Sequence, residues 1–361
     1  LSGVSETTPH CTLRGDSPIL TTRVPVTGRM RTDVLGRRRQ VGRMACYLVT
    51  GGAGFIGSHL VRALVGLGEP VRVIDNLSTG ALSNIADLLD RIEFFEGDLR
   101  TPEDCVRAVQ GTRRVIHLAA LSSVPRSIED PRGCHESNAT ATLNLLIAAR
   151  DASVERVVYA SSSSVYGNQP VERIEESLLP MPMSPYAVTK LTGEHYIRAF
   201  ACCHGLPGVS LRYFNVFGPG QSLDSGYSAV IPRFITAALA GQSLEIHGDG
   251  LQRRDFVHVD NIVRANLLAA RQTLPAQGEV YNVGSGEGHT VLELVASLRD
   301  ILGREIGLHH VSSRPGDIRS SVASIAQARA ALGFNPDVSF SEGLRRTVAC
   351  YESKGGSNPI T

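Results

Sequence analysis

Short runs of β-branched and other apolar residues alternate with stretches of helical periodicity from about residue 46 to residue 215. Parallel strands joined by crossover helices give this pattern, because helices on both faces of the sheet leave the strands apolar throughout. Right-handed crossovers make such a sheet doubly wound. The pattern therefore predicts an α/β fold with strands at residues 46–50, 71–75, 92–96, 114–119, 156–161 and 209–215, and with its clearest helices at 138–152 and 185–203.

The chain after residue 215 is less regular and is richer in glycine and turn-forming residues. We expect a smaller α/β substrate domain over residues 216–361, with segments near 256–283 returning to the first domain, residues 44–215. Residues 1–43 have neither helical nor strand periodicity, and we expect them to be a disordered extension. The elements predicted after residue 215 are a helix at 229–241, a strand and a helix within 256–271, a strand at 280–283, and helices at 291–302, 324–332 and 341–352.

Composition and charge exclude several classes of protein. Apolar residues make up 42% and charged residues 20% of the chain, which is ordinary for a globular protein. No run approaches the roughly 18 apolar residues of a membrane span, so we expect no membrane partner. The net charge of +1 includes eight arginines and three acids within residues 1–43. The remainder is therefore mildly acidic and offers no broad basic face for nucleic acid. The seven scattered cysteines form no CxxC pair, which predicts a reduced, cytoplasmic setting and no metal site.

A glycine-rich turn follows the first predicted strand and opens a helix. Residues 48–57 read LVTGGAGFIG, in which Gly51, Gly54 and Gly57 are spaced for a dinucleotide-binding turn. Glycines let the backbone turn tightly and approach a pyrophosphate, and the helix N-terminus then presents free N–H groups to that anion. The turn predicts that residues 44–215 form a Rossmann domain that binds a dinucleotide.

Acidic and small residues follow the next strands of this domain. Asp75 ends the second strand, 24 residues after Gly51, where a carboxylate accepts ribose hydroxyls and repels a 2′-phosphate, which favours NAD over NADP. Asp98, which precedes Leu99, is interpreted either as an adenine contact or as a turn-forming residue. The fourth strand ends in small residues that let a cofactor approach, namely Leu118, Ala119 and Ala120.

A tyrosine and a lysine stand four residues apart on a helix that begins at Ser184 and Pro185. Tyr186 and Lys190 therefore share one face of that helix. An ammonium group and a helix N-terminus both favour the phenolate, so we expect Tyr186 to act as a base near neutral pH. Of 36 basic residues only Lys190 and Lys354 are lysines, which singles out Lys190 as a residue that arginine cannot replace.

A run of serines closes the fifth predicted strand, at the sheet edge where ligands bind in such folds. The chain from about residue 45 to residue 344, which includes this serine run, resembles the extended short-chain dehydrogenase/reductases, and within them the nucleotide-sugar epimerases. Of these it is most similar to the UDP-hexose 4-epimerases, particularly those that accept N-acetylated sugars. Besides the glycine turn, the resemblance is carried by SSSSVYG at 161–167, SPYAVTK at 184–190, LRYFNVFGP at 211–219, RDFVHVD at 254–260 and RPGDIRS at 314–320.

The resemblance implies a role for each matching residue. Tyr186 would be the base for the sugar 4-hydroxyl, Ser162 would share that hydrogen bond, and Lys190 would hold the nicotinamide ribose. The candidate cofactor-binding residues are Gly51, Gly54, Phe55, Ile56, Gly57, Asp75, Asn76, Asp98, Leu99, Leu118, Ala119, Ala120, Asn138, Tyr186, Lys190 and Phe214. The candidate substrate-binding residues are Ser123, Ser162, Ser163, Tyr186, Asn215, Arg254, Arg314, Asp317 and Ser321, of which Asn215, Arg254, Arg314 and Asp317 would hold the UDP portion.

The implied reaction oxidises sugar C4 with bound NAD, turns the flat 4-keto sugar about its diphosphate and reduces it on the other face. Related dehydratases place an Asp-Glu pair where this chain has Ser163 and Ser164, which counts against dehydration. A UDP-glucuronate 4-epimerase is an alternative, because its serine run can look the same. A non-catalytic NAD-binding sensor is a second alternative, since fold alone does not fix function.

Two further expectations rest on the resemblance. Ser321 falls where these epimerases use side-chain bulk to gate the C2 substituent of the sugar. A serine there leaves room for an N-acetyl group, which suggests UDP-GlcNAc/UDP-GalNAc as substrates beside UDP-Glc/UDP-Gal. The resemblance also implies a homodimer formed through the helices at 138–152 and 185–203.

Overall fold

A parallel sheet of seven strands forms the centre of the fold. The structure, a computed structural model, describes residues 47–221, 229–275, 277–313 and 318–355. Its strands are β1 Tyr47–Thr50, β2 Val71–Asp75, β3 Glu93–Glu96, β4 Arg114–His117, β5 Arg156–Ser162, β6 Gly208–Tyr213, β7 Asn215–Phe217, β8 Leu244–His247, β9 Arg253–Arg254, β10 Phe256–His258, β11 Glu279–Val283, β12 His289–Thr290, β13 Leu308–Val311 and β14 Ser320–Ser321. Its helices are α1 Phe55–Gly66, α2 Pro102–Val109, α3 Val124–Glu129, α4 Pro131–His135, α5 Ala141–Asp151, α6 Pro185–His204, α7 Val230–Leu239, α8 Val259–Arg271, α9 Val291–Leu302, α10 Ala326–Leu332 and α11 Phe340–Gly355.

The order of the strands in the sheet is β11-β6-β5-β4-β1-β2-β3, and all neighbours are parallel. Successive residues point to opposite faces, so Tyr47 and Val49 pack with α1 and α8 while Leu48 packs with α2, α5 and α6. The chain reverses its direction of growth between β1 and β4, and ligands bind at the carboxyl ends of the strands at such a point. The prediction of a doubly wound parallel sheet is confirmed.

Residues 44–361 form one compact unit. A third apolar core joins α7, α9 and α11 to the parallel pair of β8 and β13. Three very short strands form a separate small sheet in the order β12-β9-β14. Strand β11 joins the main sheet at its edge, beside β6. The predicted extension, residues 1–43, lies outside the described residues.

Several predicted boundaries differ from the structure. The strand predicted at 209–215 is divided into β6 and β7, because the Phe214 N–H bonds the Val283 carbonyl while the Asn215 N–H turns to the Asp255 carbonyl. The strand predicted at 114–119 ends at His117, where the next two N–H groups turn to the Thr50 hydroxyl. The helix predicted at 138–152 begins with a π-helical turn, Glu136–Thr140, and becomes α-helical only at α5.

Within the described ranges no helix combines the length and the apolar character that crossing a membrane requires.

Candidate active site

The glycine turn packs so closely that side chains would not fit in it. Gly51 has a φ of +69°, and a Cβ there would lie 2.8 Å from the backbone of Ala119. A Cβ on Gly57 would lie 2.1 Å from the carbonyl oxygen of Gly51. Gly54 precedes α1 without a side-chain cap, and Phe55 and Ile56 begin a first turn that has no acidic residue. The free N–H groups of this turn and its positive dipole therefore fit the diphosphate of a dinucleotide.

Asp75 lies at the end of β2, against the glycine turn. Its Oδ2 accepts the Ala53 N–H at 2.9 Å and its Oδ1 accepts the Leu77 N–H at 2.9 Å. Each oxygen can accept a further bond, so the carboxylate is suited to ribose hydroxyls. Burial raises the pKa of Asp75, and the two backbone hydrogen bonds oppose that shift. The neighbouring Asn76 is exposed and donates from Nδ2 to the Asp98 carboxylate at 3.0 Å.

Asp98 forms a turn and holds an arginine. Its carboxylate accepts the backbone N–H of Arg100 at 2.9 Å and the guanidinium Nη2 of the same residue at 2.7 Å. These bonds to Arg100, of which the guanidinium bond has the largest effect, lower the pKa of Asp98 to about 2. The turn-forming interpretation of Asp98 describes these contacts, and Leu99 beside it is buried in the core.

The end of β4 is tied to its neighbours by buried hydrogen bonds. The Thr50 hydroxyl lies 2.7 Å from His117 Nδ1, and Nε2 of the same ring lies 2.9 Å from the Thr142 hydroxyl. Burial lowers the pKa of His117 to about 3, so the ring is neutral. Leu118, Ala119 and Ala120 follow it, half-buried, beside the glycine turn.

Asn138 lies in the π-helical turn and is fully buried. Its side chain accepts the Leu121 N–H at 2.8 Å and donates to the Leu121 carbonyl and to the Thr189 hydroxyl at 3.2 Å and 3.0 Å. The structure thus places Asn138 as a link between the segment after β4 and helix α6. Irregular helical turns of this kind occur often near functional sites.

Helix α6 presents Tyr186 and Lys190 to the end of β5. Ser184 caps the helix by accepting the Ala187 N–H at 3.2 Å, and Pro185 is its first residue. Lys190 is buried, and its Nζ donates to the Ala160 carbonyl at 2.8 Å and lies 5.9 Å from the centre of the Tyr186 ring. Burial lowers the pKa of Lys190 to about 8.

The expected lowering of the tyrosine pKa is not found. Desolvation raises the pKa of Tyr186 to about 12, and only the hydrogen bond with Ser162 lowers it. The expectation that the ammonium and the helix N-terminus favour the phenolate is therefore wrong for the protein alone, because desolvation outweighs both.

The serine run supplies the third member of this group. Ser162 ends β5, accepts the Ser164 N–H at 3.2 Å and the Ser164 hydroxyl at 2.9 Å, and lies near enough to Tyr186 to lower the pKa of that phenol. Ser162, Tyr186 and Lys190 thus lie together at the carboxyl edge of the sheet. Ser163 is half-buried in the following 3₁₀ turn, and Ser123 caps α3 by accepting the Arg126 N–H.

The candidate substrate residues lie in the small sheet and beside it. Arg254 in β9 pairs directly with Ser321 in β14, and its Nη1 donates to the Ile318 carbonyl at 2.5 Å. Asn215 donates from Nδ2 to the Asp255 carbonyl at 3.2 Å. Phe214 is buried, in a cluster with residues of the serine turn. Arg314 and Asp317 lie outside the described residues.

Three buried charged residues of this region were missed by the sequence analysis. The Asp255 carboxylate accepts the N–H groups of Ser285, Gly286 and Ala323 and thereby holds three segments together. Glu194, on the helix that carries Tyr186 and Lys190, forms a buried ion pair with Arg212. A signal was present for Glu194, because it stands one helical turn beyond Lys190 on the same face.

Comparisons with known proteins identify the family of this chain. The sequence profile of the NAD dependent epimerase/dehydratase family matches residues 47–284. A UDP-N-acetylglucosamine 4-epimerase from Methanobrevibacter ruminantium, solved with UDP-N-acetylmuramic acid, is 40% identical with a TM-score of 0.82, covering 87% of this chain and 100% of that one. A Thermus thermophilus UDP-glucose 4-epimerase, solved with NAD, is 39% identical with a TM-score of 0.77, covering 85% and 98%.

Another similar protein is named for a different UDP-sugar. The UDP-glucuronate 4-epimerase of Thermodesulfobacterium geofontis is 32% identical over 316 residues, which is 84% of this chain and 95% of that protein. The family profile and these similarities confirm the predicted enzyme class and cofactor. The chain belongs to the NAD dependent epimerase/dehydratase family, and NAD is its cofactor.

Proposed function

We propose that the protein is a UDP-hexose 4-epimerase that inverts C4 through a transient 4-keto sugar. The observation that carries this proposal is the grouping of Ser162, Tyr186 and Lys190 at the carboxyl edge of the sheet, beside the glycine turn. Ser163 and Ser164 support epimerisation over dehydration, because neither hydroxyl can replace the acid and base that loss of water needs. The similar 4-epimerases support the same reaction class.

In the proposed mechanism Tyr186 removes the proton of the sugar 4-hydroxyl, and Ser162 bonds the same oxygen. When bound, NAD would supply a positively charged nicotinamide that accepts the hydride from C4 and, once reduced and neutral, gives it back to the opposite face of the sugar ring. Lys190 holds the nicotinamide ribose. The 4-keto sugar rotates while Arg254 and Asn215 hold the nucleotide. Arg254 is suited to the diphosphate, because a guanidinium fork matches its oxygens. We assign Arg314 and Asp317 to the same task.

We propose that UDP-GlcNAc/UDP-GalNAc are substrates beside UDP-Glc/UDP-Gal. Ser321 carries this proposal, because it is a small residue paired with Arg254, beside the proposed diphosphate site. A bulky side chain at this position would occupy the space that an N-acetyl group at C2 needs. The similarity to a UDP-N-acetylglucosamine 4-epimerase supports the same substrates.

The first experiment incubates the purified protein, without added NAD, with UDP-GlcNAc and separately with UDP-Glc. NMR or anion-exchange chromatography follows the products, and we expect the C4-inverted sugar in both reactions. If neither substrate reacts even with added NAD, UDP-glucuronate is the next substrate to test, in keeping with the similarity to a UDP-glucuronate 4-epimerase. If that also fails, the result favours the alternative of a non-catalytic NAD-binding sensor.

Replacement of Ser321 tests the substrate proposal. Ser321→Tyr should lower kcat/KM for UDP-GlcNAc at least about tenfold relative to UDP-Glc, since a filled pocket rejects the larger group. Ser320→Tyr is the matched control, because its side chain leaves the opposite face of the same strand. An equal loss of kcat/KM for both substrate pairs in Ser321→Tyr would reject the proposal that the side chain at residue 321 selects the C2 substituent.

We further propose that the protein is a cytoplasmic homodimer. Helices α5 and α6 expose apolar side chains, Ile147 at 38% and Val188 at 48%, as a helix-to-helix interface would require. The five cysteines of the described residues are free thiols, which suits a reducing compartment. Light scattering of the purified protein tests the dimer, and Val188→Glu should shift it to the monomer.

A further inference from the structure

Glu194 and Arg212 form an ion pair that is almost completely removed from solvent. Their side chains are 4% and 5% exposed, and two bonds of 2.8 Å and 2.7 Å join the guanidinium to the carboxylate. Taking two charges out of water costs about as much free energy as their attraction returns, so a buried pair adds little stability compared with apolar residues. Its position next to the catalytic group points to another role.

The Glu194 carboxylate joins the catalytic helix to the catalytic strand. Its Oε1 also accepts the Ser161 hydroxyl at 2.5 Å, and Ser161 is the residue before Ser162 on β5. On helix α6, Glu194 lies one turn beyond Lys190 and two turns beyond Tyr186. The Glu194 carboxylate therefore fixes the end of β5, which carries Ser162, against helix α6, which carries Tyr186 and Lys190.

Arg212 extends this link along the sheet to its edge strand, β11. Its guanidinium lies over the Tyr166 ring at 4.5 Å, and the Tyr166 hydroxyl donates to Asn282 at 2.6 Å. Helix α6 and strands β5, β6 and β11 are thereby joined through buried polar side chains. Loss of one partner from such a network leaves a buried charge, so each charged member depends on the other.

Among the ionisable groups that the structure describes around Lys190, Glu194 is the one carboxylate. Burial raises the pKa values of Cys134 and Tyr159 and lowers that of His117, so these three groups are neutral near pH 7. Tyr186 is protonated as well. The groups that face Lys190 are Tyr186 and Glu194 on α6, Tyr159 on β5, Cys134 on α4 and His117 on β4.

We propose that Glu194, held in place by Arg212, is a positioning residue for the catalytic group. It fixes the Ser162 end of β5 to helix α6, and its negative charge opposes the lowering of the Lys190 pKa by burial. Arg212 is required because an isolated carboxylate at this depth would be protonated and would lose both roles. The inference rests on the proposed function for its effect on turnover, while its effect on Lys190 is independent of that function.

The composition of the chain makes Lys190 directly observable. Lys190 and Lys354 are its two lysines, so protein labelled with ¹³C-lysine gives two Cε signals, and Lys354→Arg identifies them. Titration of the NMR signal reports the protonation of Lys190 without any turnover. The pH profile of kcat and the NAD content of each variant are measured beside it.

Three variants separate the roles of the network. Glu194→Gln removes the charge and leaves Arg212 unpaired. The double variant Glu194→Met/Arg212→Met removes both charges, so no buried charge is left without a partner. Ser161→Ala removes only the bond to the strand. Glu155→Gln, at an exposed ion pair, is the control for an equal change of net charge.

We expect the Lys190 titration midpoint, near pH 8 in the wild type, to fall in Glu194→Gln, and to fall less in the double variant, which removes a positive charge together with the negative one. Their kcat near neutral pH should fall at least about tenfold while KM for the UDP-sugar changes less than about threefold. Ser161→Ala should keep the midpoint and lower kcat about threefold to tenfold. Glu155→Gln should change neither quantity.

A double variant with the wild-type Lys190 midpoint and kcat would overturn the inference, because the pair would then be only structural. If the double variant does not fold, an unchanged kcat in Ser161→Ala together with an unchanged midpoint in Glu194→Gln rejects it equally. A wild-type protein that converts no UDP-sugar contradicts the proposed function instead. In that case the lysine titration alone decides whether Glu194 holds the charge of Lys190.

Discussion

Gly57→Ala tests whether the close packing of the glycine turn is what holds the cofactor. The added methyl would lie 2.1 Å from the Gly51 carbonyl oxygen and 2.7 Å from the Gly52 Cα, whereas ordinary contacts begin at 3.4 Å. Both neighbours are backbone atoms that no rotamer change can move aside. The turn and the start of α1 must therefore separate by about 1 Å, which costs roughly 1–3 kcal/mol of folding stability and displaces the N–H groups that face the diphosphate.

Gly66→Ala in the same helix is the matched control. A Cβ on Gly66 meets no atom within 4 Å, and the residue is the last of α1. Alanine is favoured over glycine in a helix, so this variant should gain up to about 1 kcal/mol. The same substitution is thus expected to have opposite effects at the two ends of one helix.

The assay has two readouts for each variant. Calorimetry gives the change in unfolding free energy, and chromatography of the denatured protein gives the NAD bound per chain. We expect Gly57→Ala to be purified with little NAD and to turn over substrate poorly, while Gly66→Ala keeps both properties. A Gly57→Ala protein with wild-type melting temperature and a full complement of NAD would refute the assignment of this turn as the diphosphate site.

Three other substitutions have distinct expected outcomes. Tyr186→Phe should lower kcat at least about a hundredfold with NAD content unchanged, as loss of a general base does; retained turnover in the same assay would remove Tyr186 from its role. Lys190→Met should abolish turnover yet stabilise the chain. The pKa of Lys190 falls from 10.5 unfolded to about 8 folded, so charged Lys190 costs about 3 kcal/mol below pH 8. That cost fades as pH rises to 10.5, so calorimetry should find the gain largest at low pH. Asp255→Ala should raise KM for the UDP-sugar about tenfold, because it frees Ser285, Gly286 and Ala323 beside Arg254. Asn261→Ala, which frees residues 337–338 instead, should lose similar stability without a KM change.

The parts of the fold that the sequence predicted are those with local signals. Strand β2 and helix α9 have the predicted bounds, because turn and capping residues delimit an apolar pattern at both ends. The spacing of Tyr186 and Lys190 places them on one face of α6 by helix geometry alone. These features depend on neighbours within a few residues along the chain.

The parts that could not be predicted depend on contacts distant along the chain. Strands β9 and β14 have two residues each, too few for any periodicity, yet their pairing places Arg254 beside Ser321. Asp255 directly follows Arg253 and Arg254 and reads as a third charge of an exposed turn, because its partners lie 30 to 68 residues away. The pKa of Tyr186 was predicted in the wrong direction because the sequence shows nearby charges but not the depth of burial that outweighs them.

Burial has the same consequence for Tyr186 and Lys190, the proposed catalytic pair, since it favours the neutral form of each. The pKa of Tyr186 is raised to about 12 and that of Lys190 is lowered to about 8, so the neutral pair is favoured over phenolate and ammonium by roughly four pKa units, or about 5 kcal/mol. A base for the sugar hydroxyl needs the opposite arrangement. The Lys190 pKa of about 8 already includes the attraction of the Glu194 carboxylate, so without Glu194 the neutral pair would be favoured still more strongly. The remaining difference must therefore come from positive charge brought next to the phenol with the ligands.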